Sequence, residues 1–352
     1  MPRPLNEQTI VLTGASSGFG REAALIFGRR GANVVLAARD EGALGEVARE
    51  IEVHGGSALV VPTDVADWEQ VQALARAADD KFGRIDTWIN DAGVGIAGLI
   101  ADVDVADFQR LVQVNLMGTI HGVKAALPYM RKVGGGAFIN IGSVAGVRTF
   151  PLQTVYSATK HGVKSFTEGL RLELRREPGE YHVTYIAPAA INTPFFSDAR
   201  ARLGGVQVAA PAPVYEPHVV AESIVFAAEN PRRDIFVGGG GKLFDVIQRV
   251  SPGFADWLIT RNDMIYKEQI SDKLAKPDNL YEPPPRPRAI EGEYHEKAYS
   301  TSLYTKVFEW NPVLKPIALG VAALGVAALI RNSARPKPGP AERARQKVED
   351  WS

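Results

Sequence analysis

The 352-residue sequence contains no cysteine, only six histidines, and no excess of either charge, since 40 basic side chains meet 40 acidic ones. Without cysteine there are no disulfides, thiolate nucleophiles or sulfur-ligated zinc sites, which suits a reducing compartment. The histidines are scattered and show no metal-ligand spacing. A formal net charge of zero supplies no global field for a polyanion, and no basic patch interrupts the first 250 residues, so nucleic acid is not expected as a partner. The residues before Thr9 include two prolines and charged side chains where a secretory signal would need an apolar run. A cytoplasmic protein is therefore expected. The balance of 45% hydrophobic and 23% charged residues is that of a globular chain with an ample core, which excludes a disordered one.

Short β-branched runs at 10–12, 33–38, 59–61, 87–90, 137–141, 183–186 and 235–237 alternate with segments of helical period at 18–30, 41–52, 67–81, 105–130 and 156–177. That alternation predicts an α/β fold, a doubly wound parallel sheet of the Rossmann type, over residues 1–250. Residues 251–312 read as a C-terminal extension in which Glu282-Pro283-Pro284-Pro285-Arg286-Pro287-Arg288 is an extended linker. An apolar helix is expected at 313–330 and a basic, flexible tail at 331–352. The uncharged stretch 317–330 would reach only about 21 Å as a helix, whereas a hydrocarbon core of roughly 30 Å asks for more. Phe308 and Trp310 before it, and Arg331, Arg335 and Lys337 after it, have the character of interfacial anchors. Membrane attachment there competes with packing against protein.

Three groups of residues carry chemistry. Thr13-Gly14-Ala15-Ser16-Ser17-Gly18-Phe19-Gly20 lies between the first strand and the first helix, where glycines let the backbone approach a pyrophosphate and the helix start offers free N–H groups. The second strand ends in Ala37-Ala38-Arg39, without the carboxylate that accepts from a free ribose 2′-hydroxyl. A guanidinium there suits a 2′-phosphate, so NADPH is expected over NADH. Tyr156 and Lys160 stand at i and i+4, one turn apart on a helical face, which brings an ammonium near a phenol that titrates near ~10 when unperturbed. Alone, such a pair is an ordinary surface contact worth about 0.3 kcal/mol. Here Ser143, just past a predicted strand end, can donate to a substrate oxygen near the same crevice.

The Gly-x-x-x-Gly-x-Gly spacing, the turn Asn90-Asp91-Ala92-Gly93, and the set Asn115, Ser143, Tyr156 and Lys160 together resemble the short-chain dehydrogenase/reductase family over about residues 8–240. The resemblance implies hydride transfer between a nicotinamide and a carbonyl or secondary alcohol carbon. Tyr156 would then be the general acid/base, Lys160 its cationic partner, Ser143 the donor to substrate, and Asn115 the holder of a water linking Lys160 to solvent. It also implies that NADP(H) is held by Gly14, Ser16, Ser17, Gly18, Phe19, Gly20, Arg39, Asp64, Val65, Asn90, Ala92, Gly93, Ile191 and Thr193, besides Tyr156 and Lys160. Asp91 departs from the family's second asparagine in that turn, and Ala189 from its glycine after Pro188. Aromatic residues after Thr193, Phe195 and Phe196, with Tyr215, suggest a lid over an apolar carbonyl or alcohol. A homo-oligomer is expected from the same likeness. The alternative is a non-catalytic NADP-binding sensor or scaffold, which would have no need of all four reacting residues.

Overall fold

A computed structural model of the chain describes residues 2–261, 264–286, 288–295 and 297–311. The expected apolar helix and basic tail at 313–352 lie outside the described residues. No helix among the described residues is long and apolar enough to cross a membrane.

The β-branched runs form strands because a sheet covered on both faces accepts apolar side chains on every position. Thr9–Thr13 (β1), Asn33–Ala38 (β2), Ser57–Pro62 (β3), Thr87–Asn90 (β4), Gly135–Ile141 (β5), Glu180–Pro188 (β6) and Asp234–Val237 (β7) pair in parallel in the order β3-β2-β1-β4-β5-β6-β7. Successive residues of β1 serve opposite faces: Ile10 and Leu12 join one apolar cluster, and Val11 joins the other. The first cluster is closed by Gly18–Arg29 (α1), Glu41–Val53 (α2) and, further along, a helix at Pro217–Glu229. The second is closed by Trp68–Phe82 (α3), Gly118–Lys132 and Thr154–Leu174. Asp40 caps α2 by accepting from Ala43 N–H, and Asp67 caps α3 by accepting from Glu69 and Gln70 N–H.

The chain builds β1, β2 and β3 outward to one side and then returns to the other side of β1 with β4. The loops at the carboxyl ends of β1 and β4 consequently diverge and leave a crevice, the usual ligand position in such a sheet. Gly14 ends β1 at φ +83°, and a Cβ there would lie 2.8 Å from Ala92 N, so only glycine lets the two loops meet.

Two features differ from the sequence expectation. The helix expected to run unbroken over 105–130 is Val105–Val112 (α4), then a π-helical turn Gln113–Met117 centred on Asn115, then Gly118–Lys132 (α5). The Pro-rich stretch does not behave as a solvated linker either, because residues 251–305 belong to the same compact unit as the sheet. The segment 278–294 runs back over the carboxyl ends of the strands as a strap. Asn279 N–H donates to Asp198 O (2.9 Å), Gly292 N–H to Asn192 O (3.0 Å) and Tyr294 N–H to Asn192 Oδ1 (2.9 Å). Leu280 is fully buried in the second apolar cluster. Prolines suggested an extended, hydrated chain, but an extended backbone is also what a strap needs when its carbonyls find donors on the sheet.

Because Leu280 is an anchor within the core, Leu280→Ala should lower unfolding free energy by about 2–5 kcal/mol. Urea denaturation of the full chain measures it; a cost under ~1 kcal/mol would mean that the strap lies on the core without belonging to it.

Candidate active site

A cleft of about 390 Å³ opens along the carboxyl ends of β1, β2, β4, β5 and β6. One end holds Ala38, Arg39 and Asp64, the middle holds the glycine loop from Gly14 to Phe19, and the far end holds Tyr156, Lys160 and Ser143. The loop has the shape a diphosphate needs. Gly18 takes φ +58° with its open side against the Thr193 methyl, where a Cβ would come within 3.2 Å. The first-turn N–H groups of α1 at Phe19 and Gly20 have no intrahelical acceptor and lie at the positive end of the helix dipole. These residues fit a dinucleotide that runs from Arg39 to Tyr156.

At the inner end, Tyr156 and Lys160 project from the first two turns of Thr154–Leu174 (α6), and both are buried. Lys160 Nζ donates to Ile141 O at 3.0 Å and lies 5.9 Å from the Tyr156 ring centroid. Burial is the main influence on each group. It pushes the Tyr156 phenol up to about 12, against a hydrogen bond with the Ser143 side chain that acts the other way. It pulls the Lys160 ammonium down to about 8, against the negative charge of Asp91. Asp91 is itself raised to about 7 by burial, with Lys160 opposing. Ser143 Oγ accepts from Ala145 N–H (3.0 Å), which fixes the hydroxyl while leaving its hydrogen for an acceptor in the cleft.

Asn115 works through its carboxamide. Val94 N–H donates to its Oδ1 (2.9 Å) and its Nδ2 donates to Val94 O (3.0 Å), so the π-helical turn is stapled to the loop after β4. Gly93 sits between Asn115 and Lys160, since a Cβ there would be 3.5 Å from Asn115 Oδ1 and 3.7 Å from Lys160 Nζ.

The sequence profile of the short chain dehydrogenase family matches residues 8–204. The chain belongs to that family. It is 37% identical over 276 residues to an oxidoreductase named YxnA of Bacillus subtilis, covering 78% of this chain and 77% of the relative. A Staphylococcus saprophyticus oxidoreductase, SSP0419, is 35% identical over 234 residues, or 64% of this chain and 93% of that one. Among solved structures, a short chain dehydrogenase/reductase from Burkholderia phymatum in complex with NAD superposes with a TM-score of 0.64 at 28% identity, covering 78% of this chain and 99% of that one. An alcohol dehydrogenase from Thermococcus sibiricus complexed with 5-hydroxy-NADP shares the fold, with a TM-score of 0.58 at 22% identity, over 65% and 95% of the two chains.

In this short-chain dehydrogenase the residues expected at the site divide into those on the cleft wall and those behind it. Gly14, Ser16, Ser17, Gly18, Phe19, Arg39, Asp64, Val65, Ala92, Gly93, Ser143, Tyr156, Lys160, Ile191 and Thr193 line the wall. Gly20, Asn90 and Asn115 do not. A methyl group at Gly20 would overlap Asp91 Oδ2, so that glycine makes room for its neighbour. Asn90 serves the sheet: its Oδ1 accepts from Trp88 Nε1 and its Nδ2 donates to Asn140 Oδ1, both at 2.8 Å. Asn115's carboxamide is taken up by Val94. Phe195 and Phe196 line the far end, but Tyr215 lies outside the lining with its ring tilted at 42° against Tyr299. Sequence reasoning missed Tyr185, whose hydroxyl donates to Ser143 O (3.2 Å) and whose ring lies where side chains at Gly142 and Gly146 would have to go. Those two glycines flanking Ser143 were the available signal.

Asp91 holds Lys160 above the value that burial alone would set. Asp91→Asn removes this opposition, so Lys160 should lose its proton at lower pH. In the carbonyl-reducing direction, the alkaline fall of the pH–rate profile, expected near pH 8 for the native chain, should move toward neutrality. An alkaline limb that stays in place would show that Asp91 does not act on Lys160.

Proposed function

We propose that this chain is an NADPH-dependent reductase of an apolar carbonyl and, with NADP+ as oxidant, a dehydrogenase of the matching secondary alcohol, with Tyr156 as general acid/base. The observation that carries the reading is the single cleft that joins Arg39 and the glycine loop to a buried Tyr156 beside Ser143 and Lys160. When bound, the nicotinamide supplies or accepts the hydride at C4. Ser143 donates its hydroxyl hydrogen to the substrate oxygen and so fixes the carbonyl against the phenol. With its phenol near 12, Tyr156 is protonated at neutral pH and suited to give that proton to the oxygen as negative charge develops. Lys160 places a positive charge beside the resulting phenolate, and its bond to Ile141 O keeps the ammonium aimed. Asn115 keeps the loop after β4 in register with this group.

For the cofactor, Ser16, Ser17 and the N–H of Phe19 would hold the diphosphate, Ile191 and Thr193 the carboxamide, Asp64 and Val65 the adenine, and Arg39 the 2′-phosphate. Asp40, the carboxylate nearest the end of β2, is already committed: Oδ1 caps α2 and Oδ2 pairs with Arg288 Nε (3.1 Å). That favours a phosphate partner for Arg39 over a ribose hydroxyl for Asp40. NADH is the second reading, because Arg39 already donates to the carbonyls of Asn279 (2.6 Å), Leu280 (3.4 Å) and Tyr281 (2.7 Å), an arrangement that satisfies it without phosphate. Phe150, Phe195, Phe196, Pro211 and Pro213 give the substrate end its apolar walls. Exposed Val105 at the start of α4 and Leu172 near the end of the long helix α6 offer apolar contacts to a second copy.

Tyr156→Phe should reduce turnover by about 10²–10⁴-fold with NADPH affinity nearly unchanged, measured on whichever aldehyde, quinone, steroid or 3-oxoacyl compound the native chain reduces. Turnover close to native would sink the assignment. Arg39→Ala should weaken NADPH by roughly tenfold more than NADH, because only the former carries the group a guanidinium grips. Equal losses for the two would leave Arg39 as a tie for the strap and give preference to NADH.

A further inference from the structure

A diphosphate brings two negative charges to the middle of the cleft, yet the loop from Thr13 to Gly20 has no cationic side chain. Among the described residues lining the cleft, the cations are Arg39, Lys160 and Arg288. Arg39 stands at the end of β2 and Lys160 at the opposite end beside Tyr156. Arg288 lies between them, and it comes from the strap, beyond the region matched by the family profile.

Its placement is fixed on both sides. Ala289 O accepts from Gly18 N–H (2.9 Å) and Arg288 O accepts from Arg21 Nη1 (3.1 Å), so residues 288–289 cross the first turn of α1. From there the guanidinium reaches Asp40 Oδ2 through Nε and Asp198 Oδ2 through Nη1, each at 3.1 Å. Asp40 follows β2 and Asp198 closes the turn Phe195–Asp198 beyond Thr193, so the side chain spans the cleft from its adenosine side to its nicotinamide side. It is only 8% exposed. Asp198 is also paired with Arg286, so Arg288 is not needed alone to neutralise it. A guanidinium has five N–H donors, and these two ion pairs engage two of them.

We propose that Arg288 is a cofactor-binding residue, a strap-borne guanidinium that grips the diphosphate of the dinucleotide against the start of α1. The proposal rests on the dinucleotide reading above and adds to it the cation that the glycine loop lacks. Contact is with the part common to NADPH and NADH, so Arg288 contributes to affinity without selecting between them. The strap is thereby a wall of the cofactor site.

Titration calorimetry on the full chain with NADPH, NADH, ADP and adenosine tests this. Arg288→Gln should weaken NADPH, NADH and ADP alike by ~10-fold or more, as expected for loss of a charge-assisted bond, and leave adenosine within about twofold. Arg39→Gln, run beside it, should weaken NADPH by roughly tenfold more than NADH or ADP. Unchanged ADP affinity in Arg288→Gln would overturn the proposal, as would an equal loss for adenosine, which would mean the strap had merely loosened. Should that variant fail to fold, the native chain still decides: ADP should slow tryptic cleavage after Arg288 and adenosine should not, and equal rates would overturn the proposal. A native chain that binds none of NADPH, NADH and ADP refutes the dinucleotide reading itself, whereas native binding with an indifferent Arg288→Gln refutes only the role of Arg288.

Discussion

Gly14 and the backbone of Ala92 meet at the place where the sheet reverses its direction of growth, with no room for a single added carbon between them. Every other feature of the site is positioned from that approach. It brings the glycine loop beside the loop after β4, and Asn115 then holds Val94 by both of its backbone groups, which docks the π-helical turn. Thr159, one turn along the next helix, stands 3.3 Å from Asn115 Nδ2, so α6 is indexed against the same turn. Tyr156 and Lys160 flank Thr159 in sequence and inherit its position. A parallel sheet tolerates this chain of dependence because its central strands β1 and β4 are buried along their whole length and cannot slip without exposing apolar side chains.

The electrostatics follow from the same burial. Removing Lys160 from water weakens its hold on a proton, and a carboxylate at position 91 partly restores it. An asparagine there could not, so the carboxylate at this turn alters the charge balance beside Tyr156 and Lys160. The phenol of Tyr156 has no such compensation apart from Ser143 and stays a weak acid until cationic charge is brought near. Asp91 and Lys160 each oppose the shift that burial imposes on the other.

Charge also holds the C-terminal extension. Arg200 bridges Asp107 and Asp278, Arg286 pairs with Asp198, Arg288 pairs with Asp40 and Asp198, and Arg110 Nε donates to Leu280 O. Exposed pairs of this kind contribute little, but several here are largely buried and share partners, so loss of one leaves another charge without its counterion. Together with Leu280 they explain why a segment rich in proline lies against the sheet.

What the sequence determined by itself was everything set by short-range repetition. The β-branched runs named the sheet, the helical periods named most of its covering helices though not Pro217–Glu229, and the four-residue spacing of Tyr156 and Lys160 named a shared face, because each such pattern is a consequence of backbone geometry over a few residues. The glycine loop was legible for the same reason. Only the tertiary structure decided that Asn90 turns into the sheet, that Asn115 sits in a π-helical turn with its carboxamide taken by Val94, and that Tyr185 braces Ser143. It alone decided the course of the strap, whose bonds to Arg39 cross 240 to 242 residues of sequence. A run of prolines and arginines reads the same in solvent or on a protein surface, since its local conformation is extended in both. The difference lies in which carboxylates and donors the folded sheet presents to it, and those come from distant parts of the chain.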